Sequence, residues 1–142
     1  MKLNLFYKIR KRIIHPLKTK KIIKKIVKTL FSETKDIELN FLFVDNKKIK
    51  EFNKKFLNKN FPTDVLCFRY NKNSADIVIS IQEVIKNAKK FKTTYKKEFI
   101  FVIIHAILHF KGMNDDTEEK RKIMFDVAEK ILSKLEALSD KR

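Results

Sequence analysis

His105 and His109 lie four residues apart inside the most apolar stretch of the chain, Phe99 to Phe110. If that stretch is helical, both imidazoles leave the same face one turn apart, a spacing that can chelate a single metal ion. The only glycine of the chain, Gly112, comes three residues after His109, and Asp115 three residues after that. A left-handed residue at a helix C-terminus lets the chain double back, which would return a carboxylate at Asp115 to the two imidazoles. An average domain of this length holds roughly ten glycines, so one retained here points to a turn that the chain needs. Two histidines and one carboxylate leave a position open for water, the layout of a catalytic zinc. Such an ion lowers the pKa of that water or polarises a phosphoryl or carbonyl oxygen. The competing reading is a pair of satisfied core histidines followed by an ordinary helix-ending glycine. Ala106 stands where a His-Glu-x-x-His helix carries its general base, which disfavours peptide hydrolysis by that route.

The elements that must hold these residues are legible from periodicity. Ile22, Ile23, Ile26, Val27, Leu30 and Phe31 recur at the helical period among lysines, which predicts an amphipathic helix over about Thr19 to Phe31. Ile37 to Val44 reads as a strand, and Asp45 can cap a helix reaching about Phe56. After a polar turn ending in Thr63, Asp64 to Tyr70 and Asp76 to Ser80 read as a hairpin or neighbouring strands. Ser80 can cap a helix to about Phe91, and Thr93 or Thr94 can cap the histidine helix, which stops at Gly112. A last helix carries Ile123, Met124, Val127, Ile131, Leu135 and Leu138 on its apolar face. The expected class is α+β, a small mixed β-sheet covered by helices, with the metal site on a long apolar helix.

The 142 residues fit one domain, 1–142, with a basic N-terminal segment of about 1–18. A hydrophobic fraction of 44% argues against intrinsic disorder despite a formal net charge of +17. The single cysteine, Cys67, excludes an internal disulfide framework and fits a reducing cytoplasm. The longest apolar run falls short of the about 20 residues of a membrane span, so no membrane partner is expected. The N-terminus lacks a secretory cleavage pattern, although an acid-poor organellar transit segment is compatible with it. The richness in Lys, Asn, Ile and Phe fits AT-rich coding, which weakens any inference from total charge. Placement says more: Met1 to Leu30 holds eleven Lys/Arg and no acid, whereas Met113 to Arg142 holds seven Lys/Arg and eight acids. A positive field at one end suits a polyanion such as RNA, and a solvated lysine face gives the same pattern.

Three runs together carry a resemblance. His105-Ala-Ile-Leu-His109-Phe-Lys-Gly112-Met-Asn-Asp115 resembles the His-Gly-x-Leu-His-Leu-x-Gly-Tyr-Asp-His signature of the YbeY family of bacterial metal-dependent endoribonucleases. Pro62-Thr63-Asp64-Val65-Leu66-Cys67-Phe68 is similar to the family's Pro-Thr-Asp-Val-Leu-Ser-Phe, and Ala75-Asp76-Ile77-Val78-Ile79-Ser80 to its Gly-Asp-Ile-x-Ile-Ser. Order and spacing agree, and Glu98 falls where the family has a Glu opening the metal helix. The resemblance covers about Asn53 to Met124 and implies an α+β fold and a triad of His105, His109 and Asp115 holding one Zn2+. It further implies single-strand-specific endoribonuclease activity in ribosomal RNA maturation and ribosome quality control, with ribosomal RNA and the ribosome as partners. The chain departs from the pattern in three ways. The family's third His is Asp115 here, a carboxylate that admits another divalent ion, and a one-residue slip would select Asp116. A family Arg close to the metal falls on Leu57, leaving Lys55, Lys59 or Arg69 to supply a cation. Glycines are replaced at Ala75 and Ala106.

Asp64 and Asp76 either orient ligands or are ordinary turn residues. Glu98 is either a partner of the ligands or a favourable acid in a first helical turn. His15 reads as a surface residue and Met124 as core. Two other function classes stand beside the endoribonuclease: a catalytically impaired RNA- or ribosome-binding factor that keeps the fold, and a zinc peptidase-like hydrolase.

Overall fold

The computed structural model describes residues 1–9 and 16–139, with strands β1 (Lys2–Tyr7), β2 (Glu38–Val44), β3 (Val65–Asn71) and β4 (Ser74–Ser80) and helices α1 (Pro16–Leu30), α2 (Asn46–Leu57), α3 (Ile81–Lys90), α4 (Tyr95–Lys111) and α5 (Glu118–Ser139). The strands form one mixed sheet in the order β1-β2-β4-β3. β1, β2 and β4 run parallel, and β3 pairs antiparallel with β4 as a hairpin at the sheet edge. The expected α+β class with a small mixed sheet and covering helices is what the chain adopts.

Alternation decides which face each strand residue meets. Leu3 of β1, Leu39, Phe41 and Phe43 of β2 and Ala75, Ile77 and Ile79 of β4 share one face and join the main core with Ile23, Ile26 and Val27 of α1, Phe110 of α4 and Met124 of α5. The other face holds a smaller cluster of Val44, Leu66 and Val78 beneath Ile49 and Phe52 of α2. α4 is apolar around its circumference and therefore sits in the middle of the helical layer, packed against α3, α5, α1 and β3.

Caps set the ends. Asp45 accepts the Lys48 amide at 2.9 Å and Ser80 accepts the Glu83 amide at 3.3 Å. Of the two candidate caps for the histidine helix, Thr94 takes the role, accepting the Lys97 amide at 3.2 Å. Three features differ from the sequence expectation. Lys2–Tyr7, read only through its charge, is an edge strand, and α1 starts at Pro16 rather than Thr19. Ile123, assigned to the apolar face of the last helix, is 50% exposed, because Met124 and Ala128 carry that packing. His15 and the Leu138 side chain lie outside the described residues.

Candidate metal centre and cleft

α4 ends as its sequence dictates. Gly112 adopts φ 108° and ψ 3°, its amide donates to the His109 carbonyl at 3.0 Å, and the Met113 amide donates to the Leu108 carbonyl at 3.0 Å. This is a Schellman turn, and only glycine takes that φ without strain. The reversed chain is then fixed from the far side. Arg121 of α5 donates to the Asp115 carbonyl at 3.3 Å, and Thr117 accepts the Lys120 amide at 3.1 Å.

The result brings Asp115 to both histidines. Its Oδ2 lies 3.5 Å from His105 Nε2 and 3.8 Å from His109 Nε2, and the ligand atoms of the three residues all lie within 4.8 Å of one another. Bonds of about 2.0 Å at tetrahedral angles separate neighbouring donors by about 3.3 Å, so the two Asp115–imidazole separations are already within tenths of an ångström of that spacing, and rotation of the two rings toward each other would close the rest. His109 Nδ1 is 3.2 Å from the Met113 carbonyl, which makes it the protonated nitrogen and leaves Nε2 as the lone-pair donor. Burial first, and the neighbouring His105 second, lower the His109 pKa below its ordinary value, so the imidazole is neutral at pH 7. Asp116 points elsewhere, to Lys120 at 3.3 Å. Two imidazoles and one carboxylate, each partly open to solvent, are of the number and type that could hold an ion with a position left free.

The three residues line a cleft of about 530 Å3 bounded by α2, the α2–β3 loop, β3 and the turn after α4. Asn58, in left-handed conformation, ends α2 and turns Lys59 into the cleft wall. Asn53, buried, donates to the Phe61 carbonyl at 2.8 Å and ties that loop to the helix. Val65, Cys67 and Arg69 face the cleft from alternate positions of β3. Leu57 also lines it, so the position expected to be cationic is apolar. Of the three candidate replacements, Arg69 and Lys59 reach the cleft, whereas Lys55 lies over the ring of Phe56. Arg69 sits beside Gly112, its guanidinium 6.0 Å from the Phe110 ring centre. Burial pushes the Cys67 thiol up to about 11, so it is protonated and no nucleophile at neutral pH.

The flanking acids separate. Asp64 lines the cleft and bears electrostatically on both His109 and Glu98. Glu98 is buried in the first turn of α4, and its pKa rises to about 7, chiefly through burial and then through Asp64 and Glu129. Asp76 is on the opposite face of the sheet, bonded to Asn40 at 3.0 Å and to the Tyr70 hydroxyl. Ala106 is fully buried and does not line the cleft, so the position of the peptidase base supplies no proton acceptor here. Sequence reasoning missed Asn53 and Phe61 as cleft residues; the available signal was Asn58, a residue type that tolerates the left-handed conformation with which a helix ends and the chain turns back.

Comparison with known proteins gives a consistent set of relatives. The family model described as Endoribonuclease YbeY matches residues 6–136. A protein named Endoribonuclease YbeY from Petrotoga mobilis is 36% identical over 146 residues, spanning 100% of this chain and 99% of its own length. A protein of the same name from Thermosipho melanesiensis is 37% identical over 123 residues, 81% of this chain and 89% of its own. Among solved structures, the solution structure of TM1509 from Thermotoga maritima superposes with a TM-score of 0.66 at 26% identity, covering 98% of this chain and 93% of that one.

Proposed function

The chain belongs to the endoribonuclease YbeY family, and from that premise we propose that it hydrolyses phosphodiester bonds of single-stranded ribosomal RNA with an ion held by His105, His109 and Asp115. The observation that carries this reading is the convergence of two Nε2 atoms and one carboxylate oxygen at one end of a cleft that also holds Arg69 and Lys59. When bound, the ion supplies Lewis-acid polarisation of a phosphoryl oxygen and lowers the pKa of a coordinated water. His109 is oriented by the Met113 carbonyl, and Asp115 is held by the Gly112 turn and Arg121. Arg69 and Lys59 attract the phosphate and offset charge developing on it. Asp64 lies within the cleft as a carboxylate able to accept a proton or orient a nucleophile.

The donor set suits zinc, one ion per chain, and Asp115 as an oxygen donor also admits a harder divalent ion such as manganese. Residues 1–142 are read as a single domain. No described helix is long and apolar enough to cross a membrane. On the half-buried free thiol, which fits a reducing compartment, we assign the chain to the cytoplasm, and on its family we assign it to ribosomal RNA and the ribosome.

One observation favours a second reading. With Leu57 in the cleft, the family fold can serve as an RNA- or ribosome-binding factor that has lost cleavage. The peptidase reading has no such support. Incubation of purified protein with end-labelled single-stranded ribosomal RNA separates the two: cleavage that chelator abolishes and added zinc or manganese restores is expected, and binding without cleavage under every metal condition selects the second reading.

A further inference from the structure

The sheet has a second, open face. α2 covers only part of it, and the uncovered part carries Phe6 of β1 and Tyr70 of β3 beside Phe56 of α2, with 53%, 65% and 53% of their surfaces exposed. Together with Phe68 and Lys8 they line a groove of about 660 Å3. Its floor is a polar ladder crossing all four strands: Asn4 donates to Asn40 at 2.8 Å, Asn40 donates to Asp76 at 3.0 Å, and the Tyr70 hydroxyl donates to the other Asp76 oxygen.

The groove and the metal cleft share a wall. Val65, Cys67 and Arg69 of β3 face the cleft while Phe68 and Tyr70 face the groove, and α2 likewise presents Leu57 to one and Phe56 to the other. β3 is an edge strand, so a chain leaving the cleft can pass around it. We propose, resting on the RNA reading above, that this open face binds the flanking single strand of the RNA, with unstacked bases on Phe6, Phe68, Tyr70 and Phe56.

The chemistry of the face selects that occupant. Aromatic rings on an open sheet stack any base, and the oxygens of the Asn–Asp ladder accept from the exocyclic amino groups of cytosine, adenine or guanine. Lys8 lines the groove and the Lys55 ammonium lies 5.4 Å from the Phe56 ring centre, both placed for backbone phosphates. An apolar protein helix would bury the Asp76 carboxylate with no cation against it, since its two partners, Asn40 and Tyr70, are neutral. A second copy would oppose two chains of formal charge +17 across lysine-bearing rims.

The test is fluorescence anisotropy with a short labelled single-stranded oligocytidylate, in chelator so that no cleavage intervenes, on wild type, Phe6→Ala, Phe6→Tyr and Phe56→Ala. Both rings are exposed, and circular dichroism checks that each variant folds. Each alanine variant is expected to bind about fivefold or more weaker, with Phe6→Tyr within about twofold of wild type. Ultraviolet crosslinking of wild type should place label on the peptide containing Phe68 and Tyr70. Unchanged affinity in both alanine variants overturns the proposal, as does a wild type that binds no single strand. A wild-type dimer that Phe6→Ala dissociates without altering RNA affinity overturns it in favour of a second copy. Weakened binding in the alanine variants of a protein that never cleaves RNA with metal keeps this proposal and removes the cleavage reading instead.

Discussion

Gly112→Ala isolates the turn on which the proposed metal centre depends. A Cβ at this position would meet only the Arg69 guanidinium, at 3.8 Å, an ordinary contact, so the substitution brings strain without a clash. The strain is conformational: φ 108° lies where side-chain-bearing residues rarely go, and holding one there costs about 1–3 kcal/mol. A chain of this length unfolds with an entropy of about 0.3 kcal/mol per kelvin, so the melting temperature should fall by roughly 3–10 °C. If the variant relieves the strain by opening the turn, the Met113 to Leu108 hydrogen bond goes and Asp115 leaves the imidazoles. Thermal denaturation in chelator reads the strain, and zinc titration by calorimetry reads the displacement, which should weaken affinity by about tenfold or more. A variant as stable as wild type and binding zinc equally would refute the claim that this glycine holds the triad together.

Glu98→Gln should reshape the pH dependence of stability in metal-free protein. The folded carboxyl titrates near 7 and the unfolded one near 4.5, so the folded state keeps a proton that the unfolded state releases as pH rises. That stabilisation is full below about 4.5 and lost as pH climbs through about 7, whereas glutamine stays neutral throughout. Urea unfolding should show the variant gaining about 2–3 kcal/mol over wild type between pH 4 and pH 8, and a pH-independent difference would contradict the burial argument. Arg69→Ala should slow RNA cleavage about tenfold or more while leaving metal content unchanged, because Arg69 lines the cleft as a cation and is not among the three candidate donors; single-turnover cleavage at saturating zinc checks it.

Much of this fold is written in local signals. Asp45, Ser80 and Thr94 cap the helices they precede, and Gly112 ends α4, because each answers a need of the adjacent backbone. The period of α1 and the alternation of β2 and β4 likewise follow from burying one face. β1 escaped because Lys2, Lys8 and the following basic residues drew attention to charge, although Leu3, Leu5 and Tyr7 alternate as a strand facing the core should. Ile123 misled because helical period alone does not say how wide a stripe the core accepts, and Met124 and Ala128 fill it. The spacing of His105 and His109 and the Gly112 hinge pointed to Asp115, which the turn does carry to the imidazoles. Long-range placement was not legible: that Arg69 and Lys59 reach the cleft, Lys55 does not, and Asp76 is on the opposite face depends on strand order and sheet pairing.

The most direct measurement is metal content by inductively coupled plasma mass spectrometry on protein purified without a metal-affinity tag, for wild type, Asp115→Ala and Asp116→Ala. One divalent ion per chain in wild type and in Asp116→Ala, and its loss in Asp115→Ala, is the expected result. Wild-type protein that stays metal-free after incubation with zinc and manganese, or metal lost through Asp116→Ala and kept in Asp115→Ala, would contradict the proposed centre.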